Sequence, residues 1–96
     1  MTVDQQYRRE GKGNILSRVL DDMVLLYHRP SGQTHMVISP VPEILEALED
    51  GDPASARDVL RRLSRVYDLG AADAALPEIA AHLSSMAALG LIRLAS

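Results

Sequence analysis

The chain has no cysteine, no phenylalanine and no tryptophan, and only three tyrosines. Without cysteine there is no disulfide, no thiolate zinc site and no thiol chemistry. Without Phe and Trp, the interior must be built from Leu, Val, Ile, Met and Ala. Ninety-six residues give room for one such core and no second, so only marginal stability is expected. Lysine is nearly absent too, since nine of the ten basic residues are arginine. Thirteen acidic residues leave a net charge of −3. That balance lacks the basic excess of a general nucleic-acid binder. Long apolar runs are also missing: "MVLLY" is among the longest, far short of the roughly 20 residues that span a membrane. The start, "MTVDQQYRREGKGN", has no apolar stretch of the signal-peptide kind. The expectation is a cytoplasmic protein with no membrane partner.

What is present divides the chain in two. Residues 1–13 are polar and of mixed charge, and they read as a flexible arm before a single domain over 14–96. In "ILSRVL", Ile15, Ser17 and Val19 alternate with Leu16, Arg18 and Leu20, the period of a strand. Asp21-Asp22 follows as a turn, "MVLLYH" as a second strand and "THMVIS" as a third, with Pro30-Ser31-Gly32-Gln33 between the last two. The pattern predicts a three-stranded antiparallel meander over residues 15–39.

Helical spacing takes over after Ser39. Pro40 and Pro42 suit a helix entrance, where a missing donor costs nothing. Ile44, Leu45 and Leu48 form an apolar face, and "EDGDP" ends it. Ser55 and Asp58 have the spacing of a capping box. Val59, Leu60, Leu63, Val66 and Tyr67 then line one side of a second helix, and Arg57, Arg61 and Arg65 form a basic row on the other. Leu76, Ile79, Ala80, Leu83, Met86 and Ala87 follow the i, i+3, i+4 rule of a third helix. Pro77 in its first turn would put its start near Ala75. Gly90 reads as its C-terminal stop, and "LIRLA" as a short final strand. The fold class is α+β, a meander followed by three helices in a winged helix-turn-helix-like order.

Chemistry is sparse. A four-residue loop over Pro30–Gln33 would set His28 opposite His35, near enough to share a metal ion. A third ligand is needed, and neither Asp nor Glu lies in the hairpin. Ser31 sits at a turn tip, where serine is common for backbone reasons. There is no phosphate-binding glycine loop and no nucleophile elbow. No catalytic residue, metal site or cofactor is implied. A winged-helix DNA-binding protein is the alternative reading, but residues 74–90 have Glu78 as their only charged side chain. Such a helix cannot neutralise phosphate. A peptide-binding surface suits the pattern better. The third strand has a second edge to offer an extended chain. Pro77, Ala81, Ser84 and Ala88 make a small-residue strip on the last helix, suited either to a groove wall or to tight helix packing.

Three strands, then "SPVPEILEALEDGDPASARDVLRRLSRVYD", then an apolar helix ending "LGLI", resemble the PqqD family over roughly residues 15–93. These are peptide chaperones of pyrroloquinoline quinone biosynthesis and related recognition elements for ribosomally made, modified peptides. "YHRPSGQTH" resembles the hairpin motif of the subgroup tied to an HPr-kinase-related protein, the HPr-rel-A system. The resemblance implies a non-enzymatic module that binds a precursor's leader peptide as an added β-strand and presents it to a modifying enzyme or the HPr-kinase-related protein. Carried onto this chain, the leader would lie along Thr34, His35, Met36, Val37, Ile38 and Ser39. Ile79, His82, Leu83 and Met86 would form the opposite wall. The family often has Leu-Asn after this strand where this chain has Ile38-Ser39, so Ser39 is also a candidate helix cap. Arg57, Arg61 and Arg65 are the candidate docking row for a partner, and a free strand edge also suits a homodimer.

Overall fold

The computed structural model describes residues 5–9, 15–49, 51–68 and 70–95. Five strands and three helices follow in the order β1 (Tyr7–Arg9), β2 (Ile15–Leu20), β3 (Met23–His28), β4 (Gln33–Ile38), α1 (Val41–Ala47), α2 (Ala56–Leu63), α3 (Ala72–Ala88) and β5 (Ile92–Leu94). β2, β3 and β4 form the expected antiparallel meander in that spatial order. The fold is α+β, with the helices on one side of this sheet.

The sheet's inner face is read off its register. Ile15, Leu26 and Val37 are buried on successive strands, and alternation places Ser17, Val19, Val24 and His35 on the same side. These residues meet a core made mostly by the helices: Ile44, Leu45 and Leu48 of the α1 region, Val59 and Leu63 of α2, and Ile79, Leu83 and Met86 of α3. α1 packs against β4 and α2, while α3 packs against α2 and β5.

Local chemistry sets the helix ends. The Ser55–Asp58 capping box is complete: the Asp58 N–H donates to Ser55 Oγ at 3.3 Å, and the Ser55 N–H donates to Asp58 Oδ2 at 3.0 Å. At the end of α3, Gly90 takes φ +81°. The Leu91 N–H reaches back to the Met86 carbonyl and the Gly90 N–H to that of Ala87, so two orphan carbonyls are satisfied by a Schellman turn.

Three expectations are corrected. α3 begins at Ala72 rather than near Ala75, with Pro77 inside it. Ala74, Ala75 and Leu76 favour helix strongly enough to carry it past the proline, and Pro77 lies on the exposed side where the unpaired carbonyl can be hydrated. α2 ends at Leu63, so Val66 and Tyr67 fall in the following turn and are exposed rather than lining its apolar side. The arm, finally, contains β1. Tyr7 is only 6% exposed, and its N–H and C=O both bond Ala54 at 2.8 Å, while β5 pairs along the other edge. Residues 1–4 and 10–13 of the expected arm lie outside the described residues.

Candidate functional site

β4 is an end strand of its sheet, and no strand pairs with its far edge among the described residues. Its side chains alternate. Val37 points into the core and His35 is half-buried beside it. Thr34, Met36 and Ile38 point away from the helices, with Met36 70% and Ile38 62% exposed. The His35 Nε2 atom is enclosed and has no hydrogen-bond partner. A buried polar atom left unpaired is costly. Ser39 is exposed after the strand, and its hydroxyl donates to the Glu43 carboxylate in the first turn of α1. Pro40 occupies the N-cap position itself.

The wall residues divide. Ile79, Leu83 and Met86 join Val37 in one core, and Leu83 is 0% exposed. Their surface is spent on that core, and α3 packs mainly against α2 and β5. His82 is half-buried on the flank of the same helix. Of the small-residue strip, Pro77, Ala81 and Ala88 are exposed and Ser84 is half-buried. Tight helix–helix packing therefore does not explain that strip.

The hairpin register differs from expectation by two residues, and the loop moves by one. His28 pairs with Gln33 and Leu26 with His35, so the loop runs over Arg29–Gly32 and the histidines are diagonal instead of opposed. Gly32 is the cause. It takes φ +72°, which lets its N–H return to the His28 carbonyl at 2.8 Å. Ser31 Oγ fastens the turn, lying 2.7 Å from His28 Nδ1 and accepting the Gln33 N–H at 3.2 Å. Among the described residues, no three His, Asp or Glu side chains gather as a metal site would require.

The basic row is also shorter than expected. Arg57 and Arg61 lie on α2, but Arg65 falls beyond its end. Arg61 stands 3.6 Å from Asp58. The Asp58 carboxyl is held below its ordinary pKa, first by the Ser55 backbone N–H. The Ser55 hydroxyl and the guanidinium groups of Arg61 and Arg62 add to the effect, while partial burial opposes it.

Two surfaces were not anticipated. Leu16, Leu20, Tyr27, Met36 and Ile38 all lie on the sheet's outer face and remain substantially exposed. The signal was in the sequence: "MVLLYH" is apolar at both phases of the strand period, which reads equally as burial on two faces. The second is a cleft between α1 and the β2–β3 inner face, lined by Val19, Val24 and Leu45 with Arg9, Glu46 and Glu49 at its polar side. It depends on β1, which the sequence does not announce.

No protein-family profile matches the chain, and no curated protein matches it. A solved structure does: TbiB1 in complex with the TbiA(β) leader peptide, with a TM-score of 0.65 at 18% identity, covering 88% of this chain and 93% of that one. The two chains share a fold over nearly their whole lengths. No helix among the described residues is long and apolar enough to cross a membrane.

Proposed function

We propose that this protein is a non-enzymatic recognition module that binds the leader of a precursor peptide as an added strand on β4 and presents it to a modifying enzyme. The observation that carries this reading is the unpaired far edge of β4 among the described residues. Its fold likeness to a structure that holds a leader peptide supports it. So does α3, whose charged side chains are Asp73 and Glu78 with no Arg or Lys to meet a phosphate backbone. The resemblance to the PqqD family and its HPr-rel-A subgroup points the same way. The receiving partner is then the modifying enzyme or HPr-kinase-related protein of that system, with Arg57, Arg61 and Arg65 as the surface offered to it. The domain runs over 14–96 in that scheme, with β1 clamped onto its end.

Strand addition along β4 forms about five backbone hydrogen bonds, worth roughly 0.5–1.5 kcal/mol each. Ordering a flexible leader removes about 2–5 kcal/mol. A micromolar complex needs about 8 kcal/mol, so side chains must supply much of the affinity. Met36 and Ile38 offer exposed apolar surface beside the added strand, and thioethers adapt to varied partners. On the inner face, the unpaired His35 Nε2 selects a leader carrying a hydrogen-bonding group at the matching position.

Peptides selected by display against the immobilised protein provide the test, with amide chemical-shift mapping of where they bind. Shifts centred on residues 34–39, with binding weakened by Ile38→Glu and untouched by Leu20→Glu, are expected. Peptides that perturb residues 15–20 and leave 34–39 unchanged would overturn the proposal.

A further inference from the structure

We infer that Arg8 and Arg93 form an oxyanion-binding clamp on the outer face of the β1–β5 ribbon, a site separate from the β4 edge. The two residues are direct partners in the antiparallel register. The Tyr7 N–H and C=O turn away from β5 to Ala54, and the Ala95 N–H bonds the Gln6 carbonyl at 3.0 Å. Antiparallel bonding alternates, so Arg8 and Arg93 occupy a hydrogen-bonded pair with Cα atoms about 5.5 Å apart and both side chains on one face. Both guanidinium groups are permanently charged. Like charges directly opposed across two strands are destabilising, and here no carboxylate pairs with either among the described residues.

A second observation points to a missing acceptor. The Arg8 Nε atom is shielded from solvent and has no hydrogen-bond partner. Buried donors are nearly always satisfied, and an exposed arginine would simply hydrate. Arg8, Arg93, Leu94 and Ala95 line one depression, so both arginines border the same space. Arg9, one residue on and on the opposite face, instead shares its cleft with Glu46 and Glu49. Among the described residues, Arg8 and Arg93 have no such carboxylate beside them. A carboxylate or phosphate group fits, because its oxygens accept two parallel N–H bonds from a guanidinium. The clamp is rigid, because β1 is bonded on both of its edges.

The test follows the Arg Nε–Hε resonances of the full chain during titration with inorganic phosphate and, separately, with an acetylated Glu-Leu-Glu peptide amide. Sodium chloride at matched ionic strength is the control. Saturable movement of the Arg8 signal is expected, weakened about tenfold by Arg93→Gln through loss of charge-assisted bonds. Phosphate acting alone identifies a small free anion, and tighter peptide binding identifies a partner's carboxylate. Either result supports the clamp. Arg93→Gln should also raise Tm without ligand, because it removes the repulsion, and should abolish any anion-dependent rise. A linear response equal to that of chloride, or Arg93→Gln titrating as wild type, would overturn the proposal. Arg93 is exposed, so this variant folds even if Arg8→Gln does not. Peptide binding at β4 is read at residues 34–39, so failure of one site does not imply failure of the other.

Discussion

The meander and the helical layer are both rich in aliphatic residues but use them in opposite ways. Along β2, β3 and β4 only Ile15, Leu26 and Val37 are buried, one per strand. The helical layer buries Ile44, Leu45, Leu48, Val59, Leu63, Ile79, Ala80, Leu83 and Met86. Most enclosed side chains belong to the helical layer, while the sheet adds one buried residue per strand to the core and leaves its outer face exposed. A strand whose outer side chains carry little of the folding energy is free to present them to another chain. The same exposure makes the sheet a hazard for unwanted pairing, with Arg18 as its one charged outer residue.

The strongest way to break this division is Leu83→Ala. Leu83 is fully enclosed, and truncation should cost about 2–5 kcal/mol, lowering the urea midpoint sharply. On the sheet, Met36→Glu and Ile38→Glu should each weaken peptide binding about tenfold, or about 1.4 kcal/mol. Their stability should remain within about 0.5 kcal/mol of wild type. If these variants unfolded the domain as Leu83→Ala does, the division would be wrong. Ser55→Ala removes the α2 cap and should cost about 1 kcal/mol by thermal melting, with peptide affinity unchanged. The smallest effect concerns Asp58. Its carboxyl has a lowered pKa in the fold, so its contribution is present above the ordinary value of 3.8. It is lost as pH falls through the folded pKa. The stability difference between wild type and Asp58→Asn should therefore shrink below that pH, and only slightly, because the group is screened by solvent.

Much of the architecture was legible because its signals are local. The alternation of Ile15–Leu20, the capping spacing of Ser55 and Asp58, the stripe from Leu76 to Ala87 and the stop at Gly90 need only neighbours within a few residues. The errors came where distance matters. Pro77 reads as a first-turn residue, although the alanines before it sustain the helix. Val66 and Tyr67 continued a helical pattern that the chain abandons after Leu63. At the candidate site, β4 could be placed on an edge from strand order alone. The inward or outward direction of each β4 side chain follows its phase, but the burial of Ile79, Leu83 and Met86 depends on which helix faces which strand.

By itself, the sequence determined the order of the meander, the three helices and the final strand, the absence of thiol chemistry and the aliphatic character of the core. Composition and short-range periodicity decide those matters. Tertiary structure alone decided three others. It set the two-residue shift in pairing that separates His28 from His35, because the conformation of Gly32 selects the register. It drew Tyr7–Arg9 out of an apparently loose arm, because Ala54 and β5 supply the backbone partners that a three-residue strand cannot supply itself. And it brought Arg8 opposite Arg93, residues from the two ends of the chain whose meeting no local pattern records.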